Sequence, residues 1–175
     1  MLINGNNNSI YIEEPQNFIK TRLIITGDNN NVEIKKSKYK IENSIIQVSN
    51  GNTLKIGEDF SVATDLNIIA FGRNKKIIIG NDCMLSGFIW IRNDDSHKVL
   101  NNCDEPINPP KDVVIGNHVW ITHGVIIGKG VCIPDNSIIG TGAVVTKRFD
   151  EQSTAIAGNP AKVIKRNIKW IRDVY

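Results

Sequence analysis

Residues 115–146 read IGNHVWITHGVIIGKGVCIPDNSIIGTGAVVT. An aliphatic side chain falls at every sixth position: Ile115, Ile121, Ile127, Ile133, Ile139 and Val145. Gly116, Gly128 and Gly140 directly follow three of them, and Pro134 follows a fourth. The fifth position of each hexad is small or β-branched: Val119, Val125, Val131, Ser137 and Ala143. Six is not a helical period, and glycine or proline in most turns forbids a long helix. β-Branched residues alternating with turn formers imply very short strands joined by tight bends. A parallel β-helix of triangular section satisfies both. Three hexads make one coil, the aliphatic residues point inward, and each coil buries them by stacking on the next. The fold class is therefore all-β.

Upstream the same register continues. Ile56, Val62 and Ile68 make one coil, and Ile79, Leu85 and Ile91 make the next. Earlier still, apolar segments end at Ile12, Ile34 and Ile56, each 22 residues apart. A clean coil takes three hexads, so residues 1–56 form irregular N-terminal coils. Their runs of Asn and Gly belong at the corners, since both residues tolerate left-handed backbone. The excursions between residues 68 and 79 and between 91 and 115 leave from the same corner of the triangle. Residues 92–114 form a projecting loop. RNDDSHK at 92–98 carries His97, one of three histidines, and INPPKD at 107–112 returns the chain stiffly to strand. Beyond the prism, Ile164, Ile168, Ile171 and Tyr175 fall on one helical face, which predicts a short C-terminal helix over 161–175 covering the open end.

The totals bound the rest. A length of 175 residues suits one domain spanning 1–175. A net charge of +3 implies no nucleic-acid partner. The charge is concentrated, however: residues 146–175 hold seven Lys or Arg against three acids, a net +4. Cys83, Cys103 and Cys132 are odd in number and widely spaced, which reads as free thiols in a reducing compartment. The first residues lack a signal-peptide pattern and no apolar run matches a membrane span, so a soluble, cytoplasmic protein without membrane insertion is expected.

VVIGNHVWITHGVIIGKGVCIPDNSIIGTGAVVTK followed by AIAGNPAKVIKR closely resembles the hexapeptide-repeat acyltransferases. DDSH ahead of INPPKDVVIGNHVWI resembles the branch that O-acetylates bacterial surface sugars, which includes capsule, colanic-acid and polysialic-acid acetyltransferases. The resemblance covers roughly residues 77–166. It implies a left-handed β-helix and a homotrimer with active sites between adjacent subunits. It also implies acetyl-CoA as co-substrate with no metal, and a carbohydrate acceptor.

On that resemblance His97 is the candidate general base. A sugar hydroxyl must lose its proton as it attacks a thioester, and an imidazole suits the task. Asp94 or Asp95 would orient the ring or stabilise its charged form. Trp120, the sixth residue of its hexad, points outward and would lie beside the acetyl-CoA or acceptor site, with His118 nearby. Gly140, Thr141, Gly142 and Ala143 would offer backbone to the pantetheine arm. Pro160 and Ala161 would meet the adenine, with Lys147, Lys162, Lys165 and Arg166 near the phosphates. Three other readings compete. One is an N-acetyltransferase acting on an amino-sugar nucleotide. Another is a zinc enzyme like the γ-class carbonic anhydrases, using His118, His123 and a third histidine. The last is a β-solenoid scaffold without catalysis.

Overall fold

Each inward aliphatic residue of the hexads lies in a short strand, usually as its last residue, in the computed structural model, which describes residues 1–173. The strands form three sheets that are the faces of a left-handed triangular prism. The first face contains Arg22–Thr26, Ile45–Ser49, Leu66–Ala70, Ile89–Arg92, Ile126–Ile127 and Val144–Val145. The second runs from Ser9–Ile12 through Asn31–Ile34, Thr53–Ile56, Lys76–Ile79 and Val113–Ile115 to Cys132–Ile133. The third includes Ser61–Val62, Met84–Leu85, Trp120–Ile121, Ile138–Ile139 and Ala155–Ala157. Successive coils pair in parallel, so one column of inward residues runs Ile12, Ile34, Ile56, Ile79, Ile115, Ile133. A second runs Val62, Leu85, Ile121, Ile139, Ile156, and a third Leu23, Ile46, Ile68, Ile91, Ile127, Val145. From Ile34 on, the second-face column is buried. The small fifth-position residues Val119, Val125, Val131, Ser137 and Ala143 are buried under the corners.

The corners turn on left-handed residues. At the corner between second and third faces, Asp59, Asp82, His118, Asn136 and Ser153 all have φ between 52° and 59°. Asn, Asp and His enter this region at lower cost than bulkier side chains. At the corner between first and second faces the residues are Asn7, Asn29, Asn50 and Asn74, with φ of 54°, 60°, 61° and 52°.

This first corner holds every large excursion. Its inner lining is a stack of buried amides: Asn30, Asn52 and Asn93. Asn30 Nδ2 donates to Asn8 Oδ1 at 2.9 Å, and the Asn52 backbone N–H donates to Asn30 Oδ1 at 3.1 Å. Asn93 Nδ2 then donates to Asn52 Oδ1 at 2.9 Å. Asn93 Oδ1 accepts from the Phe71 and Gly72 N–H groups at 3.1 and 2.9 Å. Backbone that bulges out of the ladders thus finds side-chain partners in place of strand partners.

The chain after Pro160 corrects the expected helix over 161–175. Residues Lys162–Lys165 form a strand antiparallel to Ala155–Ala157, and Arg166–Asp173 are irregular; Tyr175 lies outside the described residues. The exposed edge of Ala155–Ala157 offers unpaired backbone groups, and a helix this short needs packing to survive. The apolar stripe does not supply that packing. Ile164 and Ile171 are exposed, whereas Trp170, which lies off the stripe, is 6% exposed.

Candidate active site

Residues 93–112 leave the first corner and return to it. Asn93 anchors the departure, and its carbonyl accepts from Lys111 N–H at 3.0 Å, closing the base of the loop. The earlier excursion forms a floor beneath. A Cβ added at Gly72 would stand 2.5 Å from Pro110 Cβ and 3.0 Å from Asn93 O, so only glycine lets the two excursions nest. Together Phe71–Arg73, Asp94–Lys98, Pro106 and Asn108–Pro110 enclose a recess of about 240 Å³. His97 is exposed on its wall, and its ring makes no hydrogen bond within the described chain.

The loop around His97 is braced from two sides. Asn108 Oδ1 accepts from Val99 N–H at 2.7 Å, while its Nδ2 donates to His97 O and to Asp95 Oδ2, both at 2.9 Å. Lys129, at the same corner one coil further on, reaches Asp95 Oδ2 and donates to Asn108 O at 2.8 Å. The Lys129 ammonium holds the Asp95 carboxyl below its ordinary value, against the opposing effect of burial and with help from Asn108. Asp94 faces Arg92, whose Nη2 is 3.5 Å from Asp94 Oδ1 and 2.6 Å from Ser96 Oγ. The Arg92–Asp94 contact is an ion pair, too long for a good hydrogen bond. Both loop carboxylates thus hold cations of their own chain, and neither bonds the His97 ring. Asn108 sits inside the INPPKD segment, so a sequence signal for it existed. Lys129 carried none.

Trp120 lies on the third face, half-buried, with Nε1 3.4 Å from Ser86 Oγ. The irregular C-terminal segment folds over it. Trp170 stacks on His118 with ring centroids 4.0 Å apart and lies 6.1 Å from Trp120. His118 turns Nδ1 to Asp82 Oδ2 at 2.6 Å and Nε2 to Trp170 O at 3.1 Å, while Trp170 Nε1 donates to His118 O at 2.9 Å. Arg172 Nε donates to Asp82 Oδ1 at 2.6 Å, and its Nη atoms reach Ser61 Oγ and Asp59 O at 2.8 and 2.9 Å. Burial pushes the Asp82 carboxyl up, but the hydrogen bonds from Arg172 and His118 outweigh it and leave the pKa lowered. His118 is therefore built into a clasp. His123 packs instead against Phe88, ring centroids 5.0 Å apart.

Most of the remaining candidates lie at the corner between third and first faces; Lys147 follows Val144–Val145 at the first corner, and Lys165 and Arg166 lie at the far end of the last strand. Gly140, Thr141, Gly142 and Ala143 turn the last complete coil at the third-to-first corner. Gly142 has φ +69° and open space where a Cβ would stand. Thr141 Oγ1 donates to Thr122 Oγ1 at 3.2 Å. The turn at Pro160–Ala161 lies alongside: Val144 N–H donates to Gly158 O at 3.0 Å and Ala161 N–H to Val144 O at 2.9 Å. Ala161 is buried, whereas Pro160 and Lys162 are exposed. Lys165 is exposed on the last strand, Lys147 lies over Phe149, and Arg166 holds Glu151 at 2.9 Å.

His97 and the glycine corner thus flank opposite edges of the first face, separated by its full width. Within one chain His97 and the glycine turn at 140–143 stand at different corners.

No family model matches the chain. Among curated proteins, it is 44% identical over 118 residues to a polysialic acid O-acetyltransferase of Escherichia coli O1:K1 / APEC, covering 67% of this chain and 36% of that one. The chain thus spans about a third of that relative's length. Among solved structures, the polySia-specific acetyltransferase NeuO superimposes with a TM-score of 0.82 at 29% identity, covering 99% of this chain and 89% of the other. The polysialic acid O-acetyltransferase OatWY superimposes with a TM-score of 0.75 at 32% identity, covering 99% and 93%.

Proposed function

The chain belongs to the hexapeptide-repeat acyltransferases of the left-handed β-helix fold, in the branch of the polysialic acid O-acetyltransferases, and from that membership we propose that it transfers an acetyl group from acetyl-CoA to a sugar hydroxyl of a bacterial surface polysaccharide or its precursor. His97 takes the hydroxyl proton as the sugar oxygen attacks the thioester carbonyl carbon. The new C–O bond forms, the C–S bond breaks, and the proton passes to the departing thiolate. No acyl-enzyme intervenes.

The observation that carries this reading is the braced loop. Asn108 and Lys129 fix the backbone on both sides of His97, yet the imidazole is left unengaged above a recess. A base must be held in place and still have a free nitrogen. The wide separation of His97 from the glycine corner supports a homotrimer in which one chain's loop meets the neighbouring chain's glycine corner. Gly142 and Pro160, both exposed, leave room for a pantetheine arm, and Lys162 and Lys165 suit phosphates. Among the described residues no helix is long and apolar enough to cross a membrane. A cytoplasmic location, where acetyl-CoA is made, completes the proposal.

Calorimetric titration of the metal-free protein with acetyl-CoA tests it. Saturable binding near one site per subunit is expected. A flat titration would remove the acyltransferase reading.

A further inference from the structure

The recess under His97 does not end at the loop. Arg73 on its floor is also the rim of a larger concavity of about 680 Å³ that runs along the first corner across the N-terminal coils. Asp28, Asn29, Asn50 and Asn74 line it with Gly27 and Gly51.

The asparagines of this corner divide into two rows. The inner amides, Asn30, Asn52 and Asn93, are buried and engaged with each other and with backbone. The outer residues Asn29 and Asn74 are exposed, and their side-chain amides make no hydrogen bond within the described chain. A Cβ on Gly51 would stand 2.5 Å from Asn74 Oδ1, so glycine is what lets the Asn74 amide lie along the groove. Asn50, on the coil between Asn29 and Asn74, spends its Nδ2 on Phe71 O at 3.1 Å, so the two unused amides stand two strand spacings apart, about 10 Å. That is close to the length of two sugar residues.

Arg73 gives the groove its charge. Arg92, Arg148, Arg166 and Arg172 each hold a carboxylate, whereas exposed Arg73 has neither ion pair nor hydrogen bond among the described residues. Its one acidic neighbour in the lining, Asp28, already accepts from Asn6 N–H at 2.7 Å. A free guanidinium between two concavities, beside two unused amides, matches a chain carrying carboxylates and hydroxyls.

We infer that the first corner is the subsite for the rest of the acceptor chain: an extended acidic saccharide lies along the N-terminal coils with a carboxylate on Arg73 and hydroxyls on the outer asparagine amides, while the sugar to be acetylated occupies the recess beneath His97. The inference rests on the acetyl-transfer reading for the recess and adds the corner. It gives the irregular coils a role: they are a track, and acceptor affinity grows with acceptor length.

The test titrates short and long sialic-acid oligomers, with neutral maltose oligomers as control, into the wild-type chain, Arg73→Ala, Arg73→Lys and Asn29→Ala. Each sample is also titrated with acetyl-CoA. Long sialic oligomers bind wild type more tightly than short ones and lose affinity with added salt. Arg73→Ala weakens the long oligomers about tenfold and flattens the length dependence, Arg73→Lys recovers part, and neutral oligomers bind weakly throughout. Equal affinity for short and long oligomers, an undiminished Arg73→Ala, equal binding of neutral chains, or no saccharide binding would each overturn the track. Acetyl-CoA binding separates the two ideas. If it persists while the length dependence is absent, only the track falls; if it is absent, the acetyl-transfer reading falls, whatever the saccharides do.

Discussion

The two halves of the prism stack the same columns of aliphatic residues but turn their corners differently. Between Ile12 and Ile79 the second-face column repeats every 22 or 23 residues; between Ile115 and Ile133 it repeats after 18. The surplus in the N-terminal half lies in longer strands on both sides of the first corner: Arg22–Thr26, Ile45–Ser49 and Leu66–Ala70 outrun Ile126–Ile127, and Asn31–Ile34 and Thr53–Ile56 outrun Cys132–Ile133. At that corner Asn30, Asn52 and Asn93 replace ladder partners. The other two corners stay tight in both halves. The inward columns therefore set the fold, and the two faces that meet at the first corner are free to lengthen and push it outward. The longest growth, residues 93–112, carries His97, whose ring makes no hydrogen bond among the described residues.

The sharpest way to break this comparison is to remove chemistry without touching a face. His97→Ala lowers turnover by about 10²–10⁴-fold. It leaves acetyl-CoA affinity and thermal midpoint as in the wild type, since the ring packs against nothing that stacks. Steady-state rates alongside a melting curve check this, and retained turnover would end the base assignment.

The next largest effect is structural and sets corner against face. Asn52→Ala strips acceptors from Lys75 N–H and Asn93 Nδ2 and should cost about 3 kcal/mol, because buried donors are left unmade. Ile127→Val on a tight coil should cost about 1 kcal/mol. Urea denaturation of the two variants gives the ranking, and the reverse order would deny the amide stack its structural role. A smaller effect lies in the brace. Lys129→Met should reduce kcat about tenfold with little change in acetyl-CoA affinity, and Lys129→Arg should restore most of it. A change in acetyl-CoA affinity alone would separate Lys129 from His97.

The mildest perturbation is acid. Asp95 and Asp82 both have folded pKa values lowered from the ordinary 3.8. Their contribution is complete above that value and is lost as pH falls below it toward the lowered folded values. Loop and clasp should both loosen there while the buried columns persist. Hydrogen exchange should show residues 93–112 and 166–172 opening before the strands; simultaneous opening would contradict the division between corner and face.

Much of this was legible in the chain because the faces obey a local rule. Hexads from Ile115 to Val145 give the inward columns directly, and the apolar ends at Ile12, Ile34 and Ile56 extend one of them in the correct register. What stayed hidden depends on which way adjacent side chains turn. Asn29 and Asn30 are neighbours in one run, yet one faces solvent and the other is 1% exposed. Asp94 and Asp95 sit beside His97 in the chain but turn to Arg92 and Lys129. The helix expected near the end came from a three-to-four spacing of isoleucines, whereas the residue that anchors the segment is Trp170, held by a histidine 52 positions away.

Arg172 has a consequence for how the molecule comes apart. A solenoid links each coil only to its neighbours, so its rungs can open one after another like a zip. The bonds of Arg172 to Asp59, Ser61, Asp82 and Cys83 span 89 to 113 residues of chain, and no other side-chain hydrogen bond among the described residues spans more than 52. One guanidinium thus straps two middle coils to the far end of the stack. Freeing the C-terminal segment must break these bonds to the middle coils, which ties the chain's end to coils that stacking alone would leave independent of it.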